Sequence, residues 1–145
     1  MSVLENYIGN AWVPSHSDSS ISVINPANQE ELAKVPYGSG TAVDIDTAVK
    51  AGLKAYNDWK DVPVMQRVQP LYKLKTLLEE NLDDIAETIT LESGKTLAES
   101  KGELQRAIEN VETACGAPML MQSEFSENIA RGIDEFMIRQ SLGVT

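Results

Sequence analysis

Leu97–Cys115 read LAESKGELQRAIENVETAC, a segment whose apolar side chains recur at helical spacing. The apolar stripe consists of Leu104, Ile108, Val111 and Cys115. Residues three or four apart share one face of an α-helix, and most of the charged side chains fall on the other face. Gly116 and Pro118 then end the pattern. The segment predicts a long amphipathic helix whose apolar face packs against a sheet or other helices.

A second amphipathic helix is predicted to begin at Thr41. The four residues Thr41-Ala42-Val43-Asp44 have the form of a capping box, with Thr41 as the N-cap and Asp44 three residues later. Apolar residues then recur at helical spacing as far as Trp59, and Pro63 stops the run.

A third helix is predicted between these two. It begins at Met65 or Pro70 and reaches Asn81, and its apolar pattern continues through residues 82–89. Pro70 belongs in a first turn or at a kink, because proline lacks the N–H that an interior position requires.

Short apolar segments bounded by turn residues lie on both sides of the helical region. Gly9-Asn10 separates two apolar flanks and predicts a hairpin. The other candidate strands are residues 21–23, 32–35, 129–131 and 135–142, with turns at residues 25–28 and at Gly132. We therefore expect one α/β segment: strands and a hairpin in about residues 1–40, three long amphipathic helices in 41–118, and strands in 129–145.

The composition excludes several partner classes. The chain has 22 Asp and Glu against 12 Lys and Arg, a net charge of −10. Phosphate backbones and anionic lipids repel such a chain, so neither nucleic acid nor membrane is an expected partner. Its one cysteine allows no internal disulfide, its start lacks the pattern of a secretory signal, and no apolar run approaches the roughly 20 residues of a membrane span. We expect a cytoplasmic protein.

Two glycine-containing segments resemble phosphate-binding motifs without completing them. Gly38-Ser39-Gly40 precedes a helix, but Val43 stands where a dinucleotide fingerprint has its third glycine. Ser93-Gly94-Lys95-Thr96 ends like a phosphate-binding loop, but Ile89 replaces the first glycine and a predicted helix precedes it. We interpret both as turns.

Single reactive residues also have structural interpretations. Cys115 belongs to the apolar stripe, with no histidine near it in sequence, and we expect a buried structural cysteine. His16 falls in a polar loop and is expected at the surface. On charge alone, Arg106 would pair with Glu103 or Glu109 at a spacing of three residues.

Taken together, several segments resemble the N-terminal part of the aldehyde dehydrogenase superfamily. They are NYIGNAWV (6–13), NPA (25–27), Trp59 ahead of Arg67, LESGKTLAE (91–99) and LGV (142–144). Residues 102–106 (GELQR), 108–112 (IENVE) and 114–118 (ACGAP) resemble its CoA-acylating branch, which acts on methylmalonate and malonate semialdehydes. The match runs through essentially the whole chain in the family's order.

The resemblance implies a fold cut before its nucleotide-binding sheet. In the full-length enzyme a cysteine thiolate attacks the aldehyde, hydride passes to NAD, and the acyl group loses CO2 and is transferred to CoA. The family's nucleophile, oxyanion-hole asparagine and phosphate-binding helix lie beyond Thr145, and Cys115 does not match the nucleophile. This chain alone is therefore expected to be inactive and to bind neither cofactor. The alternative is a non-catalytic, truncated helical module for interaction or assembly.

The resemblance also implies one substrate-binding residue. Arg106 stands where the branch places an arginine beside the substrate tunnel, and a guanidinium binds a carboxylate bidentately. Glu92 falls near a weak monovalent-cation position of related members. The strand near residues 136–142 would belong to the arm that pairs subunits, so the expected partners are the remainder of the enzyme chain and a second copy in a homo-oligomer.

Overall fold

The computed structural model describes residues 3–145 and shows the mixed α/β architecture that the sequence predicts. The strands are β1 (Asn6–Ile8), β2 (Ala11–Val13), β3 (Ser19–Ile24), β4 (Glu31–Tyr37), β5 (Glu124–Ala130) and β6 (Ile133–Met137). The helices are α1 (Thr41–Trp59), α2 (Val64–Arg67), α3 (Gln69–Glu80), α4 (Leu82–Ser93), α5 (Leu97–Cys115) and α6 (Ala117–Leu120). Of the helices in this part of the chain, none has the length and apolar character needed to cross a bilayer.

The strands form three separate antiparallel ribbons of two strands each in residues 3–145. The predicted hairpin is confirmed: β1 pairs with β2 around Gly9 and Asn10, whose φ angles of 61° and 66° suit a tight two-residue turn. Tyr7 and Trp12 face each other across this ribbon, with ring centroids 5.0 Å apart. In the second ribbon, the Asn25 side chain accepts a hydrogen bond from the Ala27 N–H (2.9 Å) and fixes the predicted turn.

The buried core is centred on α5, which packs against α3 and α4. Its apolar members are Val68, Ala86, Leu104, Ile108 and Cys115. Large apolar side chains elsewhere stay exposed, including both phenylalanines of the third ribbon. The core therefore fixes α3, α4 and α5 and leaves α1 and the ribbons with little apolar cover.

The predicted third helix is two helices. It divides at Asn81, whose φ of −110° and ψ of 21° depart from helical values. The Asn81 side-chain amide donates to the carbonyl oxygen of Leu77 (2.8 Å), which also accepts from the Asn81 N–H (3.1 Å), so Asn81 caps the end of α3. Four helices of twelve or more residues, α1, α3, α4 and α5, therefore replace the predicted three within residues 3–145.

The prediction of a capping box at the start of α1 is wrong, although the helix does begin at Thr41. Gly40 precedes the helix without a side-chain cap, and the Thr41 hydroxyl donates to the Gly38 carbonyl oxygen (2.6 Å). Asp44 is turned away from the helix N-terminus and binds groups of the N-terminal loop. A contact distant in sequence thus replaces the local one.

The bounds of the C-terminal strands also differ from the prediction. β5 begins at Glu124 rather than residue 129, and β6 ends at Met137. The pairing shifts register between Ser126 and Ala130, where Asn128 has a φ of 52° and its N–H donates to the Asp134 carboxylate (2.9 Å). This bulge removes the alternation by which a strand is recognised. Residues 138–145 form no strand.

Candidate functional site

Helix α5 carries the predicted substrate-binding residue, and a capping box fixes where the helix begins. The Thr96 side-chain oxygen accepts from the Glu99 N–H (3.3 Å), and the Glu99 carboxylate accepts from the Thr96 N–H (3.0 Å) and hydroxyl (2.8 Å). The hydrogen bonds from Thr96 lower the pKa of Glu99 below its ordinary value. The preceding residues turn sharply: Gly94 has a φ of 70°, and a Cβ there would lie 2.8 Å from the Pro26 ring.

Contacts with α4 fix the orientation of α5. The fully buried Ser100 hydroxyl lies 2.8 Å from the Thr90 hydroxyl, and Lys101 forms an ion pair with Asp83 (2.6 Å). On the same side, the apolar stripe of α5 faces α3 and α4. The predicted stripe is therefore correct, and the opposite face of α5 is open to whatever lies against it.

Arg106 lies on that exposed face. Glu103 pairs with Lys95, so the pairing of Glu103 with Arg106 expected from spacing does not form. The hydrogen bond and charge of Lys95 lower the pKa of Glu103, and the charge of Arg106 adds to this effect. Across residues 3–145 Arg106 makes neither an ion pair nor a side-chain hydrogen bond, with Glu109 or any other group. Its guanidinium is thus available to an external carboxylate.

The other residues singled out in the sequence lie apart from Arg106 or are not reactive. Cys115 is buried at the end of the α5 stripe, as expected. Glu92 is exposed near the end of α4. No group of three or more His, Cys, Asp or Glu side chains is placed to hold a metal in the described part of the chain. A helix precedes Gly94, as predicted, so the phosphate-binding-loop pattern lacks its strand.

A polar cluster around Asp44 is the feature that the sequence interpretation missed. The Asp44 carboxylate accepts from the Ser15 hydroxyl (2.5 Å), the His16 N–H (3.1 Å) and the Asn6 amide (3.1 Å), and lies 2.7 Å from the His16 ring nitrogen. These hydrogen bonds, that of Ser15 first, lower the pKa of Asp44 to about 2. His16 is at the surface, as predicted, yet its ring is held. The cluster joins the N-terminal loop to α1.

An Asp44→Asn substitution is predicted to alter the acid stability of the chain. Because the folded-state pKa of Asp44 is depressed, its contribution is fully present above pH 4 and is lost as pH falls towards about 2. The unfolding free energies of wild type and variant should therefore differ most at neutral pH and converge in acid, as measured by urea unfolding across this range. Asp46→Asn, on the exposed face of the same helix, is the matched control. If the unfolding free energy depends on pH in the same way in both variants, the Asp44 carboxylate does not make the proposed contribution to stability.

Comparisons with known proteins agree with one another. The sequence profile of the aldehyde dehydrogenase family matches residues 12–145. Malonate-semialdehyde dehydrogenase 1 of Geobacillus kaustophilus is 46% identical over 142 residues, which is 98% of this chain and 29% of that protein. The acylating, mitochondrial methylmalonate-semialdehyde dehydrogenase of Arabidopsis thaliana is 41% identical over 139 residues, 96% of this chain and 23% of that protein.

Solved structures give the same result. The methylmalonate-semialdehyde dehydrogenase of Oceanimonas doudoroffii superposes with a TM-score of 0.88 at 35% identity, covering 97% of this chain and 28% of that one. The structure of a Sinorhizobium meliloti protein described as a methylmalonate-semialdehyde dehydrogenase in complex with NAD superposes with a TM-score of 0.90 at 32% identity. The superposition covers 98% of this chain and 28% of that one. The chain therefore spans less than a third of the length of these relatives.

Proposed function

The chain belongs to the aldehyde dehydrogenase family, and from this membership we propose that it is the N-terminal part of a CoA-acylating oxidoreductase. The proposed reaction converts methylmalonate or malonate semialdehyde to an acyl-CoA, with reduction of NAD and release of CO2. The observation that carries the proposal is the similarity, over 98% of this chain, to a relative named for malonate semialdehyde. The availability of Arg106 supports the choice of an acid-bearing aldehyde.

We assign Arg106 the binding of the substrate carboxylate. A guanidinium presents a fixed fork of N–H donors that matches the two oxygens of a carboxylate. Helix α5 is anchored by its capping box and by α4, so the backbone that carries Arg106 is fixed before substrate arrives. Binding at this end of the substrate orients the aldehyde at the other end. An aldehyde without a carboxylate leaves the guanidinium unpaired and is disfavoured.

Cofactor binding falls to polypeptide outside residues 1–145. Within the described residues no glycine-rich loop connects a strand to a helix as a dinucleotide site requires: Gly94 follows a helix, and Gly38-Ser39-Gly40 lacks the third glycine. Cys115 is buried and is not assigned the nucleophile. This chain therefore contributes substrate recognition, and on its own it is proposed to be inactive.

The third ribbon is proposed to be the arm that pairs subunits of a homo-oligomer. Every residue of β5 and β6 is exposed, and the ribbon carries Phe125, Ile129, Ile133 and Phe136 without cover. The same exposure is the observation that favours the second candidate function, a non-catalytic assembly module. A cytoplasmic location is part of the main proposal, supported by the single cysteine, which suits a reducing compartment.

An activity assay separates the two candidates. The coding sequence that follows Thr145 is expressed together with this chain. The longer polypeptide is then assayed for NADH formation from methylmalonate semialdehyde with NAD and CoA. We expect CoA-dependent NADH formation by the longer polypeptide and none above background by the 145-residue chain. A stop codon directly after Thr145, with association of the chain in solution, would instead establish the assembly module. Oxidation of the aldehyde by the 145-residue chain alone would contradict both.

A further inference from the structure

A cleft of about 320 Å³ lies where the end of α1, helix α2 and the C-terminal segment meet. Its polar lining includes Tyr56, Lys60, Asp61, Arg67, Arg139 and Ser141. None of the lining residues belongs to α5, so the cleft is distinct from the surface that carries Arg106.

The cleft is positively charged in a strongly acidic chain. Lys60, Arg67 and Arg139 line it against one carboxylate, that of Asp61, whereas the whole chain has a net charge of −10. Within residues 3–145 none of the three cations forms an ion pair. Lys60 lies instead over the ring of Tyr56, 5.7 Å from its centroid. Three cations facing a single carboxylate, and forming no ion pair with it, favour an anionic ligand.

Arg67 is the most constrained of these cations. Its Nε atom is buried and has no hydrogen-bond partner within the described residues. A buried donor without an acceptor is costly, and for a charged group the cost is larger. The terminal N–H groups of Arg67 are not buried in this way, and they are the donors that can reach an acceptor in the cleft.

Arg139 is the second guanidinium of the cleft, and hydrogen bonds fix the segment that carries it. Arg139 donates one N–H to the carbonyl oxygen of Gln122, which fixes the side chain and leaves its other donors free. The hydroxyls of Ser141 and Tyr56 lie 3.2 Å apart in the same lining. The Ser141 hydroxyl donates to the Tyr56 hydroxyl, which in turn donates to the Ser141 carbonyl oxygen (3.4 Å), so these two side chains hold the C-terminal segment against α1.

We propose that this cleft binds an oxyanion, a carboxylate or a phosphate group, through the guanidinium groups of Arg67 and Arg139. Two forked donors match the paired oxygens of these groups and give geometric selectivity over a spherical anion such as chloride. The site is separate from the proposed substrate carboxylate site and does not depend on the proposed reaction. The oxyanion is either a free small molecule or a carboxylate side chain from polypeptide outside residues 1–145.

Calorimetric titration of the chain with inorganic phosphate and with malonate tests the site. We expect saturable binding of at least one of them, weakened by about tenfold or more in Arg67→Gln and in Arg139→Gln. Arg67→Lys keeps the charge but loses the fork and should fall between wild type and Arg67→Gln. Arg131→Gln removes an equal charge from the exposed turn between β5 and β6 and should bind like wild type.

The same titration on the longer polypeptide distinguishes the two sources. Retained binding identifies a free oxyanion as the ligand. Loss of binding, together with a lower Tm in Arg67→Gln and Arg139→Gln than in Arg131→Gln, identifies a carboxylate of the polypeptide itself. Should neither anion bind the 145-residue chain, or should Arg131→Gln weaken binding as much as the cleft variants, the assignment is overturned. Arg139 is exposed, so its variant remains informative if Arg67→Gln fails to fold.

Discussion

An Arg106→Ala substitution in the complete enzyme should lower kcat/KM for methylmalonate semialdehyde by about 10²–10³-fold and leave that for propionaldehyde nearly unchanged. Hydrogen bonds to charged groups contribute about 1.5–3 kcal/mol each, and every 1.4 kcal/mol is tenfold in rate. The substrate carboxylate would also be left without its counter-charge when it leaves water. Propionaldehyde has no carboxylate, so the substitution removes nothing that it uses.

Two further variants decide whether the loss of kcat/KM comes from the bidentate geometry of the Arg106 guanidinium or only from its positive charge. Arg106→Lys keeps the charge without the bidentate geometry, and we expect it to lose about tenfold on the semialdehyde. Gln105→Ala alters the adjacent exposed position of α5 and should change neither substrate's kcat/KM. Equal losses on both aldehydes in Arg106→Ala would remove the carboxylate-binding assignment.

Ile108→Ala should lower the unfolding free energy of the chain by about 3 kcal/mol, as measured by urea unfolding. Ile108 is 1% exposed and occupies the centre of the α5 stripe against α3 and α4, so truncation leaves a cavity that its neighbours cannot fill completely. The effect is large relative to the total stability, because the buried apolar core of the described residues is small.

Leu97→Ala is the matched control for Ile108→Ala. It is an aliphatic truncation in the same helix at a position 41% exposed, and we expect a loss of less than about 1 kcal/mol. If the two variants lose the same stability, the core is not centred on Ile108.

The parts of the fold that could be predicted from the sequence are those fixed by neighbouring residues. The hairpin at Gly9-Asn10 depends only on a turn that those two residues adopt. The α5 stripe depends on helical spacing, and Cys115 is buried because it belongs to that stripe. Arg106 could be placed on the exposed face of α5 for the same reason, because its position along the helix is set by local spacing.

The failures occur where distant contacts or side-chain bonds override a local pattern. Asp44 matched a capping box, but Ser15 and His16 offer its carboxylate hydrogen bonds that no short motif reveals. Asn81 ends α3 inside a continuous apolar pattern, because its backbone leaves the helical region and its side chain caps the Leu77 carbonyl oxygen. No local sequence pattern predicts the cationic cleft, because Lys60, Arg67 and Arg139 come together only when the C-terminal segment returns to α1. Thr96 and Glu99 do form a capping box, and they carry the glutamate of that motif where the false one has aspartate.

The contact of Gly94 with Pro26 ties the second ribbon to the helix that carries Arg106. The ring occupies the space that any side chain at position 94 would need, so a substitution at Gly94 would displace the turn of the ribbon or the residues that lead into α5. The positive φ and the proline ring thus leave glycine as the residue that this junction accepts without a shift of one element against the other.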